Sequence, residues 1–421
     1  MHDTQVDFKL IKATHLIDGK GESSLERGAV LIQGDTIKAV GSEETVVPPE
    51  GASVQEFNYE NKTLLPGLID CHVHLIGIGD GRKGDELALL PDEVLTLQAA
   101  QNSRTHLYSG VTTVRDCGAK NRTTLMLRQA MSMGITPGPR LVLSGRPISI
   151  IGGHLSYFGE EVTGSDECRA AVRRLIKEGV DFIKVTATGG STRTSKPLRP
   201  SFNVEELTAI CDETHKLGLH VAAHCASSEG IINALDAGVD TVIHAYYKEN
   251  DGTFLYRPDI TERIARQGVF VNATLHQGVE TVRVLEEKQL SQKLTQKEQD
   301  DLDTSRSAYE TMIDYASRMR DEGVKLVCGS DSSWSHYKAG SFQKEIYEHV
   351  EVGMSPLEAI VSATSDSARS SWVDDQVGIL EVGKQADLLV VEADPAQEIF
   401  ALENVVDVFQ GGELVDRGNY V

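Results

Sequence analysis

The chain has 421 residues, 40% of them hydrophobic, with 63 acidic against 41 basic residues and a formal charge of −22. That length suits one large barrel plus a small domain. The acidic balance excludes nucleic acid and anionic membrane surfaces as partners, because both need a positive patch; a small anionic substrate stays open, since a local Arg or His can reverse the field inside a pocket.

The N-terminus, Met1-His2-Asp3-Thr4-Gln5, is polar and has no basic region followed by an apolar stretch, so no signal peptide is read there. No apolar run approaches the ~20 residues of a membrane span. Cys71, Cys117, Cys168, Cys211, Cys225 and Cys328 are scattered without a C-x-x-C pair and read as reduced, buried thiols. These features together place the protein in the cytoplasm.

From Phe8 to Asn58 the chain reads as short strands: Phe8 to Thr14, Ala29 to Gln33, Thr36 to Val40 and Ser53 to Asn58, with Gly34-Asp35 as a hairpin turn. This is half of a small β-domain. The other half lies at the far end, in the strands Ala386 to Val391, Val405 to Gln410 and Glu413 to Asp416, the last two joined at Gly411-Gly412. The two ends are expected to meet as one β-sandwich domain made of residues 1–62 and 376–421.

Between them, residues 63–375 alternate strand and helix signals. Eight strands are predicted: Leu64 to Asp70, Thr112 to Asp116, Arg140 to Ser144, Phe182 to Thr186, His220 to His224, Thr241 to His244, Val269 to Thr274 and Lys325 to Ser330. Helical stretches such as Ser165 to Glu178, Asn203 to Leu217 and Ser227 to Ala237 separate them, with Gly179 and Gly218 placed to stop helices. Eight such units point to a (β/α)8 barrel. The segment Gln277 to Asp303 is too long for an ordinary connection and reads either as a solvated helical insertion or as a lid over the barrel mouth.

Barrel enzymes carry their chemistry at the C-terminal ends of the strands. The first strand ends in Asp70-Cys71-His72-Val73-His74, and residues i and i+2 of a strand share a face, so His72 and His74 project together. Two imidazoles on one face can bind a divalent ion, although a lone His-x-His is weak evidence. The fourth strand carries Lys184, the fifth ends at His224, the sixth at His244 and the eighth at Asp331. Each has a plainer explanation by itself; Asp331, for example, could cap a helix at Ser332-Ser333. An ammonium in an apolar strand is costly unless it is paired or its pKa falls, which makes Lys184 the hardest to explain structurally. Six coincidences at five strand ends carry the metal site.

At this point the chain resembles the amidohydrolase superfamily, through Leu65-Pro66-Gly67-Leu68-Ile69-Asp70-Cys71-His72-Val73-His74 and the tail Gly378-Ile379-Leu380-Glu381-Val382-Gly383-Lys384-Gln385-Ala386-Asp387-Leu388. The resemblance implies an α/β fold, a distorted (β/α)8 TIM barrel with the split β-sandwich. It further implies that Lys184 reacts with CO2 to give a carbamate bridging two divalent metal ions. His72, His74 and Asp331 would hold one ion, and His224 and His244 the other. Zinc is the default ion, with cobalt, manganese and iron compatible; a mononuclear site with unmodified Lys184 is the alternative. The implied reaction is cleavage of a C–N amide bond by metal-activated hydroxide, with Asp331 as general base.

Substrate choice lies in the loops. Ile151-Gly152-Gly153-His154, His244-Ala245-Tyr246 and Thr188-Gly189-Gly190 are similar to the prolidase-like dipeptidases and carboxypeptidases of the superfamily. That likeness gives His154 and Tyr246 the role of binding a substrate carboxylate, as in a dipeptide or an N-acyl amino acid. The basic loop Ser191 to Pro200 departs from that pattern and reads either as a solvated loop or as an anion clamp, with Arg193 or Arg199 as candidates. The alternatives are a hydrolase of neutral amides, ureas or carbamates and, remotely, a non-catalytic scaffold, against which all six ligand positions stand intact. Deaminases fit less well, because they usually use one metal and lack the strand-four lysine. A homo-oligomer is compatible with the group, but no interface motif is legible.

Overall fold

The computed structural model describes residues 7–418; Met1 to Gln5, read above for a leader, lies outside the described residues. Both chain ends build one seven-stranded mixed sheet. Its order is Glu413–Leu414, Val405–Gln410, Leu388–Glu392, Val54–Pro66, Phe8–Leu16, Leu25–Gln33, Thr36–Ser42. The central strand Val54–Pro66 runs parallel to Phe8–Leu16 and antiparallel to Leu388–Glu392. Successive residues point to opposite faces, so Ile11, Val30 and Ile32 join one apolar cluster while Leu10, Ala29 and Leu31 join another. Gly411 and Gly412 both hold positive φ, as a tight two-residue hairpin requires.

The intervening chain forms two parallel sheets. One contains Leu68–Val73, Val111–Asp116 and Arg140–Leu143, in that order. The other runs Phe270–Asn272, Thr241–Lys248, Val221–Ser227, Ile183–Thr186, Ile148–Ile150, Glu160–Val162. The last two strands come from the loop after the third predicted strand and are too short for any sequence period to reveal. Val221–Ser227 is buried at every position, as expected of a parallel strand covered on both faces. Ile69 and Val142 of the first sheet meet Ala222 and Ile243 of the second in one apolar cluster with Phe182, so the two sheets face one another. Full burial of each Ile, Val and Phe side chain there contributes about 1.5–3 kcal/mol.

The predicted helices lie at Ser165–Glu178, Val204–Lys216 and Ser228–Ala237. Asn203 and Glu206 form a reciprocal capping box on the second. The long insertion belongs to two helices, His276–Ser291 and Gln296–Asp321, which share a small cluster of Leu285, Leu294 and Leu302. Among the described residues no helix is long and apolar enough to cross a membrane.

Two predicted strands are corrected. Leu64 to Asp70 is not one strand: Val54–Pro66 ends in the mixed sheet and Leu68–Val73 begins the parallel one. Gly67 is the joint, where a Cβ would fall 2.1 Å from Thr112 Oγ1, so only glycine lets the chain pass between the sheets. Lys325 to Ser330 is not a regular strand. It is held by isolated parallel bridges, Leu326 to Val271 and Ser332 to Val73, and Asp331 just beyond it has a φ of 55° that breaks the pleat. Its backbone still connects the two sheets: Val327 N–H donates to Val271 O at 2.8 Å and Asp331 N–H to His72 O at 2.7 Å.

Candidate metal centre

Strand alternation puts His72 and His74 on one face, and the backbone of residues 330–332 is hydrogen-bonded alongside them. Asp70 fixes that register, accepting from Ser330 Oγ at 2.6 Å and from Ser330 N at 2.9 Å. Asp331 Oδ1 thereby lies 3.3 Å from His72 Nε2 and 3.4 Å from His74 Nε2. Among the described residues these three form a donor group whose ligand atoms all lie within 4.8 Å of one another.

The outer nitrogen of each imidazole decides what its inner nitrogen can do. Asn272 Nδ2 donates to Gly329 O at 2.9 Å, so its Oδ1, 2.9 Å from His72 Nδ1, must accept from that ring. His74 Nδ1 donates to Gly118 O at 2.9 Å. Thr274 Oγ1 donates to Ala273 O and so accepts from His244 Nδ1, at 2.7 Å. His224 reverses the pattern, donating from Nε2 to Gly189 O at 3.1 Å. One lone pair per ring is therefore free: Nε2 of His72, His74 and His244, and Nδ1 of His224. His72 Nε2 and Asp331 Oδ1 are buried without a hydrogen bond. Two facing lone pairs repel unless a cation or proton stands between them, and nitrogen–oxygen donor sets of this kind suit divalent metals.

Electrostatics keep the four imidazoles neutral, the form in which they can bind a metal. Burial first, and the Lys184 charge second, hold His74 and His224 down at about 3 and push His72 well below the ordinary imidazole range. Burial also pushes His244 well down and raises Asp331 to about 7, against the pull of Lys184 and the Gln277 hydrogen bond. Lys184 is 1% exposed, forms no hydrogen bond or ion pair among the described residues, and has its pKa lowered by burial. The His224 and His244 rings lie 4.7 Å apart, and the strand pairing sets His224 beside Thr186 and His244 beside Cys225. All six predicted ligands line one cavity of about 270 Å³.

The other predicted residues divide. His154 lines this cavity, with its ring 4.4 Å from that of His224 and Nδ1 3.1 Å from Thr192 Oγ1. Gly190 permits that packing, since a Cβ there would meet the His154 ring at 2.6 Å. Tyr246 stacks on His244 at 5.1 Å and lines the same cavity; burial raises its phenol pKa, so it stays a donor. Arg193 is exposed and lines neither this cavity nor the neighbouring one. Sequence reasoning missed Asn272, Thr274, Lys248 and Gln277, whose Nε2 donates to Asp331 Oδ2 at 3.0 Å. It also missed Trp334, stacked on His74 at 5.1 Å. Polar or aromatic residues at helix starts and loop ends carry no spacing signal. His244, Thr274 and Asp331 all hold positive φ, the kind of backbone strain that clusters at functional sites.

A second cavity of about 840 Å³ adjoins the first and shares Ser191, Tyr246, Lys248, Gln277 and Trp334 with it. Residues of both helices of the long insertion, including Val284, Leu285 and Met312, form its wall.

The amidohydrolase family model matches residues 63–415. The ochratoxinase of Aspergillus niger is 28% identical over 437 residues, spanning 96% of this chain and 86% of that protein. A Xaa-Pro dipeptidase solved with methionine bound in its active site superposes with a TM-score of 0.83 at 29% identity, covering 97% of this chain and 100% of the other. A prolidase complexed with N-methylphosphonate-L-proline gives 0.82 at 26% identity, covering 98% and 100%.

Proposed function

The chain belongs to the amidohydrolase family, and from that premise we propose that it hydrolyses the C–N bond of dipeptides or N-acyl amino acids that carry a free carboxylate. The observation that carries this reading is the donor set: four neutral imidazoles, each with one free lone pair, arranged with Asp331 and Lys184 around one buried cavity. On this reading His72, His74 and Asp331 hold one divalent ion and His224 and His244 a second, zinc by default. The ions would supply Lewis acidity and acidify a water molecule.

The chain's own groups do the rest. Asp331 takes a proton from the attacking water, while Gln277 holds Oδ2, and returns it to the leaving nitrogen. Burial favours the neutral amine of Lys184, the form that attacks CO2 with loss of a proton, to leave an anionic carbamate among four uncharged rings. His154 and Tyr246 donate to the substrate carboxylate. The two parallel sheets, completed by residues 325–332, are read as a distorted (β/α)8 barrel over residues 63–375, and the mixed sheet as the sandwich domain of 1–62 and 376–421. The six free, buried cysteines support a reducing, cytoplasmic setting.

The test is a paired assay of the zinc-reconstituted protein on dipeptides and N-acyl amino acids, each also as its C-terminal amide. Turnover of the free acids alone is expected. Preference for the amides, or turnover of neither, overturns the carboxylate reading and moves the assignment to neutral amides, ureas or carbamates. A 13C label from bicarbonate, read by NMR in wild type and absent in Lys184→Ala, tests the carbamate.

A further inference from the structure

Lys248 ends the strand that carries His244 and Tyr246, and it lines both the metal-site cavity and the larger one beside it. Among the described residues its ammonium forms no hydrogen bond and no ion pair. Its neighbours are two aromatic faces: Nζ lies 4.7 Å from the Phe254 ring centroid and 5.7 Å from that of Tyr246. Of the other lysines and arginines on the larger cavity, Arg82 and Lys288 are paired with Asp80 and Glu298, and Lys83 and Lys297 are exposed to water, so neither carries the loss of hydration that Lys248 does. In a chain with 63 acidic residues, a half-buried cation left without a carboxylate at the junction of two cavities is conspicuous. Ring faces offset part of its lost hydration, but an anion offsets far more. Burial pushes the Lys248 pKa down, which is the cost that a bound anion would remove.

The larger cavity offers apolar surface to a bulky group, beside charged side chains that include Asp80, Asp85 and Glu298. Phe254, Leu275, Val284, Leu285, Ala308 and Met312 contribute to its lining, and its volume of about 840 Å³ lies in the range that encloses drug-sized ligands. A dipeptide bound across the ligand cavity alone would leave it unused.

We propose that Lys248, rather than Arg193, supplies the positive charge that recognises the substrate carboxylate, and that the adjoining cavity takes a large apolar group of the same substrate. The substrate class is then a bulky aryl or long-chain N-acyl amino acid, or a dipeptide with a large side chain. This rests on the carboxylate reading above for its place in the reaction, but its test is a binding experiment that needs no turnover.

The probes are 2-naphthoate and 2-naphthamide, matched in shape and differing in charge, titrated calorimetrically into the zinc-loaded wild type, Lys248→Gln and Lys248→Arg. Wild type should prefer the acid. Lys248→Gln should cut that preference roughly tenfold to a hundredfold, the range for a charge-assisted hydrogen bond, while leaving amide affinity and zinc content unchanged; Lys248→Arg should keep most of it. Equal acid preference in wild type and Lys248→Gln, or no preference in wild type, overturns the assignment of Lys248. Parallel loss of acid and amide binding would show a structural role and overturn it as well. Failure of amide-bond turnover, by contrast, would strike the proposed reaction and leave these binding ratios as they are.

Discussion

Asn272→Ala separates the chemistry of the proposed metal site from its packing. The Asn272 side chain accepts from His72 Nδ1 at 2.9 Å and donates to Gly329 O at 2.9 Å and Val327 O at 3.3 Å. The alanine leaves a buried ring N–H and two buried carbonyls without that partner; at about 1–3 kcal/mol for each group left unsatisfied, stability should fall measurably. The His72 tautomer is no longer imposed, so Nε2 competes with Nδ1 for the proton, and loss of such outer hydrogen bonds costs about 10–100-fold in metal affinity, or roughly 1.4–2.8 kcal/mol. Asn272→Asp keeps an acceptor for Nδ1 but turns an oxygen toward the Gly329 carbonyl, so it should lose stability and keep the metal. The assay is zinc affinity by chelator competition beside thermal melting, on all three proteins. An alanine variant that binds zinc as tightly as wild type refutes the tautomer argument; an aspartate variant that loses zinc as the alanine does refutes it equally.

Asp331→Asn should lower kcat by about 10²–10⁴-fold, the usual share of a general acid–base, and near wild-type turnover would remove Asp331 from that role. Tyr246→Phe should raise KM for free acids more than for their amides at similar kcat; a drop in kcat alone would speak against carboxylate binding. Arg193→Ala, on an exposed side chain outside both cavities, should change neither kinetic parameter, and a raised KM for acids would restore the loop as a clamp. Burial opposes the His276 imidazolium, but hydrogen bonds to Glu280 at 3.3 Å and Glu348 at 2.8 Å outweigh it and raise its pKa above 6.5. A raised folded pKa adds stability below the unfolded value and loses it as pH climbs through the folded one, so the melting-temperature gap between wild type and His276→Gln should be widest near about pH 6 and shrink toward about pH 9. A gap that widens with pH would contradict the pairing.

The proposed ligands are legible because strand geometry is periodic. A two-residue spacing fixes His72 and His74 to one face, and a histidine, lysine or aspartate at the end of an apolar run stands out from its surroundings. Their supports were not legible. Asn272 matters only because residues 327–329 pass beside it, and Gln277 only because its helix starts over Asp331. The eighth predicted strand, Lys325 to Ser330, has strand composition, but this stretch pairs only through isolated bridges at Leu326 and, past the left-handed Asp331, at Ser332. Arg193 was attractive as a cation in an acidic chain, yet charge in a sequence says nothing about which way a loop faces. Lys248, in the apolar-aromatic run Tyr246-Tyr247-Lys248, gave no such cue.

The pairing of Val54–Pro66 also bears on how the enzyme is made. That strand leads through Gly67 straight into the one bearing His72, and one of its edges is covered only by Leu388–Glu392. Every proposed ligand has left the ribosome before that covering strand is synthesised. Until then the nascent chain exposes an unpaired edge, the feature most prone to wrong pairing with other chains, and the pairing that closes it spans most of the sequence, which slows folding. Translation that halts after Asp331 but before Leu388 would release a polypeptide with a full set of metal-binding side chains and no seated strand behind them, so competence to bind metal is deferred to the final stretch of synthesis.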